Sequence, residues 1–185
     1  MAKYRKIDSG AFADIYDLEN GTVLKAFRRK SHIHGAVVDW YDHDLLTKAH
    51  FVAEARAYES ISDQHDLSKY IPKYFGRANP VELLGSDEYV MGCGFIIEFI
   101  QGRAVKLCYA TSDILEVLNK VVDELSVLLT GVNVGDASYF SPGLRAGFTL
   151  IDFALWESAD YECYLFDNGT LSGSLKEELL EFCDN

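Results

Sequence analysis

Asp14-Ile15-Tyr16-Asp17-Leu18-Glu19-Asn20-Gly21-Thr22-Val23-Leu24-Lys25-Ala26-Phe27 reads as two strands folded back on each other. Aromatic and β-branched residues on either side suit a pleated, half-buried surface. Asn20-Gly21 between them tolerates the positive φ angles of a tight hairpin turn. Upstream, Tyr4–Asp8 extends the strand pattern towards the amino terminus. Downstream, the segment 29–45 carries three of the five histidines (His32, His34 and His43) together with Asp39, Asp42 and Asp44. Their spacing matches no metal-ligand motif, so this segment reads as a loop leading into a helix.

A helix is expected from Thr47 to Ser62, because Phe51, Ala55, Tyr58 and Ile61 recur at three- and four-residue steps. Pro72 closes the next loop, and Tyr74-Phe75-Gly76 starts an extended piece. Tyr89-Val90-Met91 and Phe95–Ile100 read as two further strands, the second ending at Gly102. A second helix begins at Ser112 or Asp113 and carries Ile114, Leu118, Val121, Leu125 and Leu128 on one face, stopping near Gly131. Phe148–Ile151 and Tyr161–Phe166 are strand candidates, and Ser174 to Glu177 has the reciprocal capping pattern of a short final helix. The order predicts an α+β domain with a mostly antiparallel sheet.

Composition narrows the partners. The 185 residues carry a formal net charge of −12, which disfavours nucleic acid and anionic lipid and favours a basic protein partner. Much of that charge sits in the carboxy-terminal segment, at Glu177, Glu178, Glu181 and Asp184. No apolar run is long enough to span a bilayer, and no apolar stretch follows the basic start to make a signal peptide. Cys93, Cys108, Cys163 and Cys183 are scattered without C-x-x-C spacing, which speaks against a zinc site or disulfide framework. Reduced thiols in a cytoplasm are expected.

Several short stretches carry chemistry when taken in order. Ser9-Gly10-Ala11-Phe12-Ala13-Asp14-Ile15-Tyr16 resembles the glycine-rich loop of protein kinases, with Asp8 and Ala13 in place of two glycines. Val23-Leu24-Lys25 resembles the strand that bears the phosphate-binding lysine. Glu54, with Glu59 as competitor, resembles the helix glutamate that orients it. Gly94–Gly102 looks like the adenine-binding strand and hinge, and Leu150-Ile151-Asp152-Phe153-Ala154 looks like the D-F-G segment. Val134-Gly135-Asp136 stands where kinases have H-R-D or H-G-D.

The resemblance covers about residues 4 to 154. It implies a kinase-like amino-terminal lobe, an antiparallel sheet plus one helix, over 1–102. A strongly reduced carboxy-terminal lobe with a short acidic final helix follows over 103–185. It implies ATP held by Gly10, Ala13, Ile15, Lys25 and Glu98. Lys25, Glu54 and Asp136 would be the catalytic groups, and Asp152 and Ser141 the Mg²⁺ ligands. Val134 replaces the family histidine, Ser141 its metal-binding asparagine, and Ala154 the glycine after Asp152-Phe153. The residues after Ala154 show no A-P-E segment, so the helices that hold a protein substrate are not expected. The reading that these departures favour is a degenerate kinase fold that captures a basic protein, one form being an immunity protein that masks a cationic toxin. The alternatives are an active minimal Ser/Thr kinase and a small α+β interaction domain unrelated to kinases. The loop begins so near Met1 that little space is left for an export signal, so the chain is expected to stay in the cell that made it.

Overall fold

The structure, a computed structural model, describes residues 4–29, 43–110, 112–128, 132–133, 137–152 and 154–155. It is α+β. Strands β1 (Arg5–Ser9), β2 (Ala13–Asp17), β3 (Thr22–Arg28), β4 (Tyr74–Ala78) and β5 (Tyr89–Glu98) form one antiparallel sheet in the order β1-β2-β3-β5-β4. Helix α1 (His43–Ser62) covers one face, and the short helix α2 (Pro80–Leu84) covers the other.

The predicted hairpin is β2–β3, but positive φ falls at Glu19 (61°) and Gly21 (82°), not at Asn20. Asn20 instead accepts hydrogen bonds at Oδ1 from the Thr22 N–H (3.1 Å) and hydroxyl (2.5 Å), a side-chain turn that closes the loop. Tyr89–Met91 and Phe95–Glu98 belong to one strand, not two, and it ends at Glu98 instead of running on to Ile100. Gly92, at φ 72°, lets the chain bend inside β5 where a side chain would be strained.

Alternation along β3 decides the layers. Val23 and Phe27 face α1, while Leu24 and Ala26 face the opposite side and pack with Tyr89 and α2. Phe27, Phe51, Tyr58 and Phe95 interlock between sheet and helix, with Phe27–Phe51 and Tyr58–Phe95 ring centres 5.5 and 5.3 Å apart. The expected stripe on α1 is fully buried, and so are Ala49, Val52, Ala53 and Ala57 on its other sides. Burial extends beyond one stripe because the helix lies between β3, β4 and β5 on one side and β7 (Val132–Asn133) and β10 (Ala154–Leu155) on the other.

The second body is small. Strand β6 (Val105–Lys106), strand β8 (Ser138–Phe140) and strand β9 (Thr149–Ile151) make a three-stranded sheet, and β7 (Val132–Asn133) pairs with β10 (Ala154–Leu155). Helix α3 (Ser112–Leu128) begins where its sequence predicted and buries Leu118, Val121 and Leu125. The expected strand Tyr161–Phe166, the final helix and the acidic tail lie outside the described residues. Among the described residues, no helix is long and apolar enough to cross a membrane.

Candidate functional site

Lys25 lies between Val23 and Phe27 on the α1 side of β3, so its amine is carried beneath the sheet towards the helix. There it meets Glu54. Lys25 Nζ donates to Glu54 Oε1 at 2.8 Å and Oε2 at 2.7 Å, and to Asp152 Oδ1 at 2.9 Å. Glu59 points elsewhere, onto Arg77 and the Tyr74 hydroxyl. Asp152 directly follows β9 and adopts φ 68°, a left-handed conformation that is strained for a residue with a side chain. Three chain segments thus deliver one ammonium and two carboxylates to one point.

Lys25 is shared by both carboxylates, Lys106 lies beside Asp152 at 3.6 Å, and burial decides which carboxylate keeps its proton. Burial pushes the Glu54 carboxyl up to about 7 against the pull of Lys25, and the neighbouring Asp152 charge pushes the same way. Lys25, joined by Lys106, holds Asp152 down to about 2 against the cost of its partial burial. Burial opposes the charge on Lys25, but Asp152 and Glu54 outweigh it and keep the amine above the ordinary lysine value. Asp152 therefore carries the charge, and Glu54 titrates near neutrality.

Two adjoining cavities share the walls Asp8, Ile15, Ile97 and Ile151. The first, about 550 Å³, is largely apolar, with Val23, Phe99 and Phe140 among its walls and Glu98 at its edge. The second, about 470 Å³, holds Lys25, Glu54 and Asp152 under the loop residues Gly10, Ala11, Phe12 and Ala13. Both volumes suit a small-molecule ligand. The expected residues Gly10, Ala13, Ile15, Lys25, Glu54 and Asp152 all line the second cavity. Glu98 lines the first, where its carboxylate is tied to Arg145 (2.6 Å) and to the Lys73 N–H (3.1 Å).

Ser141 does not join them. Counting five residues from Asp136 assumed a longer loop, but β8 starts at Ser138 and pairs it with Ile151, beside Asp152. Ser141 falls beyond the other end of that pairing, exposed, with its hydroxyl 3.4 Å from the Gly147 carbonyl. Ser138 is the serine that lines the cavity. Asp136 and Val134 lie outside the described residues, as do His32 and His34.

Other groups in the cleft went unread in the sequence. His50 stands one helical turn before Glu54, its ring stacked on Phe12 with centres 3.8 Å apart. Burial lowers its pKa to about 3, with Lys25 adding to the effect, so the ring is neutral. The four-residue step from Glu54 was the available signal. Lys106, 3.6 Å from Asp152 Oδ2, had none, since it comes from the small sheet.

Among the described residues, no group of three or more His, Cys, Asp or Glu side chains could hold a metal ion. Mg²⁺ does not require one. It commonly binds through one or two carboxylates plus substrate phosphates. Asp152, ionised and half-exposed, fits that role, and Ser141 does not. Comparison with protein-family models and with curated proteins finds no match to this chain.

Proposed function

We propose that the chain holds a nucleoside triphosphate and one Mg²⁺ in this cleft, in the manner of a protein kinase. The observation that carries the reading is Lys25 on the third strand, gripped by a glutamate of the following helix and by Asp152. In kinases the corresponding lysine–glutamate ion pair and the aspartate that holds Mg²⁺ must both be in place. The apolar cavity beside it offers space for a base, and the loop over Lys25 lies where phosphates would bind.

Within this reading Lys25 orients the phosphate oxygens, Glu54 keeps the amine from swinging out, and Asp152 supplies the metal's protein ligand. The Mg²⁺ would neutralise charge on the phosphates. Transfer to an acceptor also needs a carboxylate beside the attacking hydroxyl, the role that the resemblance gives to Asp136. Saturating ATP with Mg²⁺ is expected to raise the melting temperature, and Asp152→Ala to abolish the metal-dependent part. An unchanged melting temperature in wild type would sink the nucleotide reading. Labelled phosphate appearing on the protein or on a general substrate, and lost in Asp152→Ala, would establish transfer as well.

A second reading is favoured by the net charge of −12: the fold also captures a basic protein, as an immunity protein would capture a cationic toxin. Its test is copurification of a stoichiometric basic protein from the native host. Release of that protein should follow rising salt. Retention at high salt would remove the electrostatic argument.

A further inference from the structure

The loop over Lys25 lacks two of the glycines that would make such a turn pliable, yet it is held tightly from outside the cleft. The Gly10 N–H donates to the Ala13 carbonyl at 2.8 Å, which closes the turn. Arg28, three residues after Lys25, then engages the loop. Its Nη2 donates to the carbonyls of Gly10 and Ala11, the latter at 2.8 Å, and its Nη1 to the Ser9 hydroxyl at 3.3 Å. Its backbone N–H donates to the Phe12 carbonyl at 2.8 Å. Three consecutive carbonyls therefore face Arg28.

The guanidinium is itself anchored. Asp14, only 2% exposed, lies 3.5 Å from Nη1 and accepts from the Ser9 hydroxyl at 2.6 Å and the Tyr89 hydroxyl at 3.0 Å. This cluster sits outside both cavities, and Arg28 lines neither. A planar trans peptide points its C=O and the next residue's N–H in opposite directions. With the carbonyls of Gly10, Ala11 and Phe12 turned to Arg28, the N–H groups of Ala11, Phe12 and Ala13 are turned away from it. Those residues line the cavity with Lys25 and Asp152. Consecutive N–H groups presented on one side form an anion-binding concavity.

We propose that Arg28 is a positioning residue. Its side chain holds the Gly10 and Ala11 carbonyls, beside the Phe12 carbonyl on its own backbone N–H, so that the opposed N–H groups of Ala11, Phe12 and Ala13 receive a phosphate chain. The clasp replaces with a side chain what glycines supply through backbone freedom. This inference rests on the nucleotide reading above.

The test is calorimetric titration of wild type, Arg28→Ala and Arg28→Lys with Mg-ATP, inorganic tripolyphosphate and adenosine. Arg28→Ala should weaken ATP and tripolyphosphate by about tenfold, the cost of ordering a loop on binding, and leave adenosine unchanged. Arg28→Lys should lie between, because a single ammonium lacks the fork that spans two carbonyls. Amide exchange at Ala11 and Phe12 in the ligand-free protein should speed up in both variants, with Ala13, opposite the carbonyl on the Arg28 backbone N–H, changing less. Should Arg28→Ala fail to fold, the lysine variant alone decides. Polyphosphate affinity and loop exchange equal to wild type would overturn the role of Arg28 and leave the nucleotide reading standing. A uniform loss that includes adenosine would reduce Arg28 to general stability. Wild type that binds neither ATP nor tripolyphosphate would overturn both proposals.

Discussion

Glu54→Gln tests the charge assignment in the cleft through the pH dependence of stability. Glu54 is 4% exposed, and its folded pKa of about 7 stands above the ordinary value of 4.5. A raised carboxyl binds its proton more tightly in the folded state than in the unfolded one. Its contribution to stability is therefore full below pH 4.5 and is lost as pH rises through 7. At about 1.36 kcal/mol for each pH unit, the gap makes roughly 3 kcal/mol lost by wild type across that window. Glutamine imitates the neutral acid and does not titrate. The two proteins should have similar urea midpoints at pH 5. By pH 8 the variant should be more stable by about 2–3 kcal/mol, or roughly 5–10 °C in melting temperature. A difference that stays constant from pH 5 to 8, or turns against glutamine at pH 8, would refute the argument. It would mean that Lys25 holds Glu54 as an ordinary ion pair and that Asp152 does not compete for the amine.

His50→Phe should keep the stack on Phe12 while removing Nε2, which is buried without a hydrogen-bond partner among the described residues. Stability at pH 7 should rise by about 1 kcal/mol, read from the urea midpoint. The same variant should resist acid better. The neutral His50 contributes stability that is complete above pH 6.5 and is lost as pH falls towards 3, because the unfolded imidazole takes up its proton first. Gly143→Ala would drive a methyl into the backbone of Phe148, so the β8–β9 hairpin that delivers Asp152 must shift. A loss of about 3 kcal/mol or more is expected in denaturant titration, with weaker Mg-ATP binding in the surviving folded fraction.

Local signals decided the elements. Period-two alternation around Lys25 and the three- and four-residue steps from Phe51 to Ile61 and from Leu118 to Leu125 report which side of each element meets a core. The antiparallel strands, α3 and α1 from Thr47 onward were legible for that reason, whereas the first turn of α1, from His43, was read as loop. Single positive-φ residues are weaker signals, so one strand that bends at Gly92 was read as two. Among the site residues, Lys25, Glu54 and Asp152 were singled out because their segments resemble kinase motifs, whereas Ser141 was placed by a count along the chain, which cannot see that β8 brings Ser138 beside Ile151.

What the amino-acid order determined alone is the β2–β3 hairpin, the strand segments of the larger sheet, α1 and α3 in the main, β9, and the candidate lysine, glutamate and aspartate; it did not determine α2 or the other short strands. Tertiary structure decided everything that depends on charge at short range. It chose Glu54 over Glu59, put His50 and Lys106 beside them, and turned the loop carbonyls towards Arg28. The reason is physical. Periodicity records burial over neighbouring residues, but Lys25 and Asp152 stand 127 positions apart. An interaction that falls off over a few ångströms exists only after the chain has folded and water has been excluded between them.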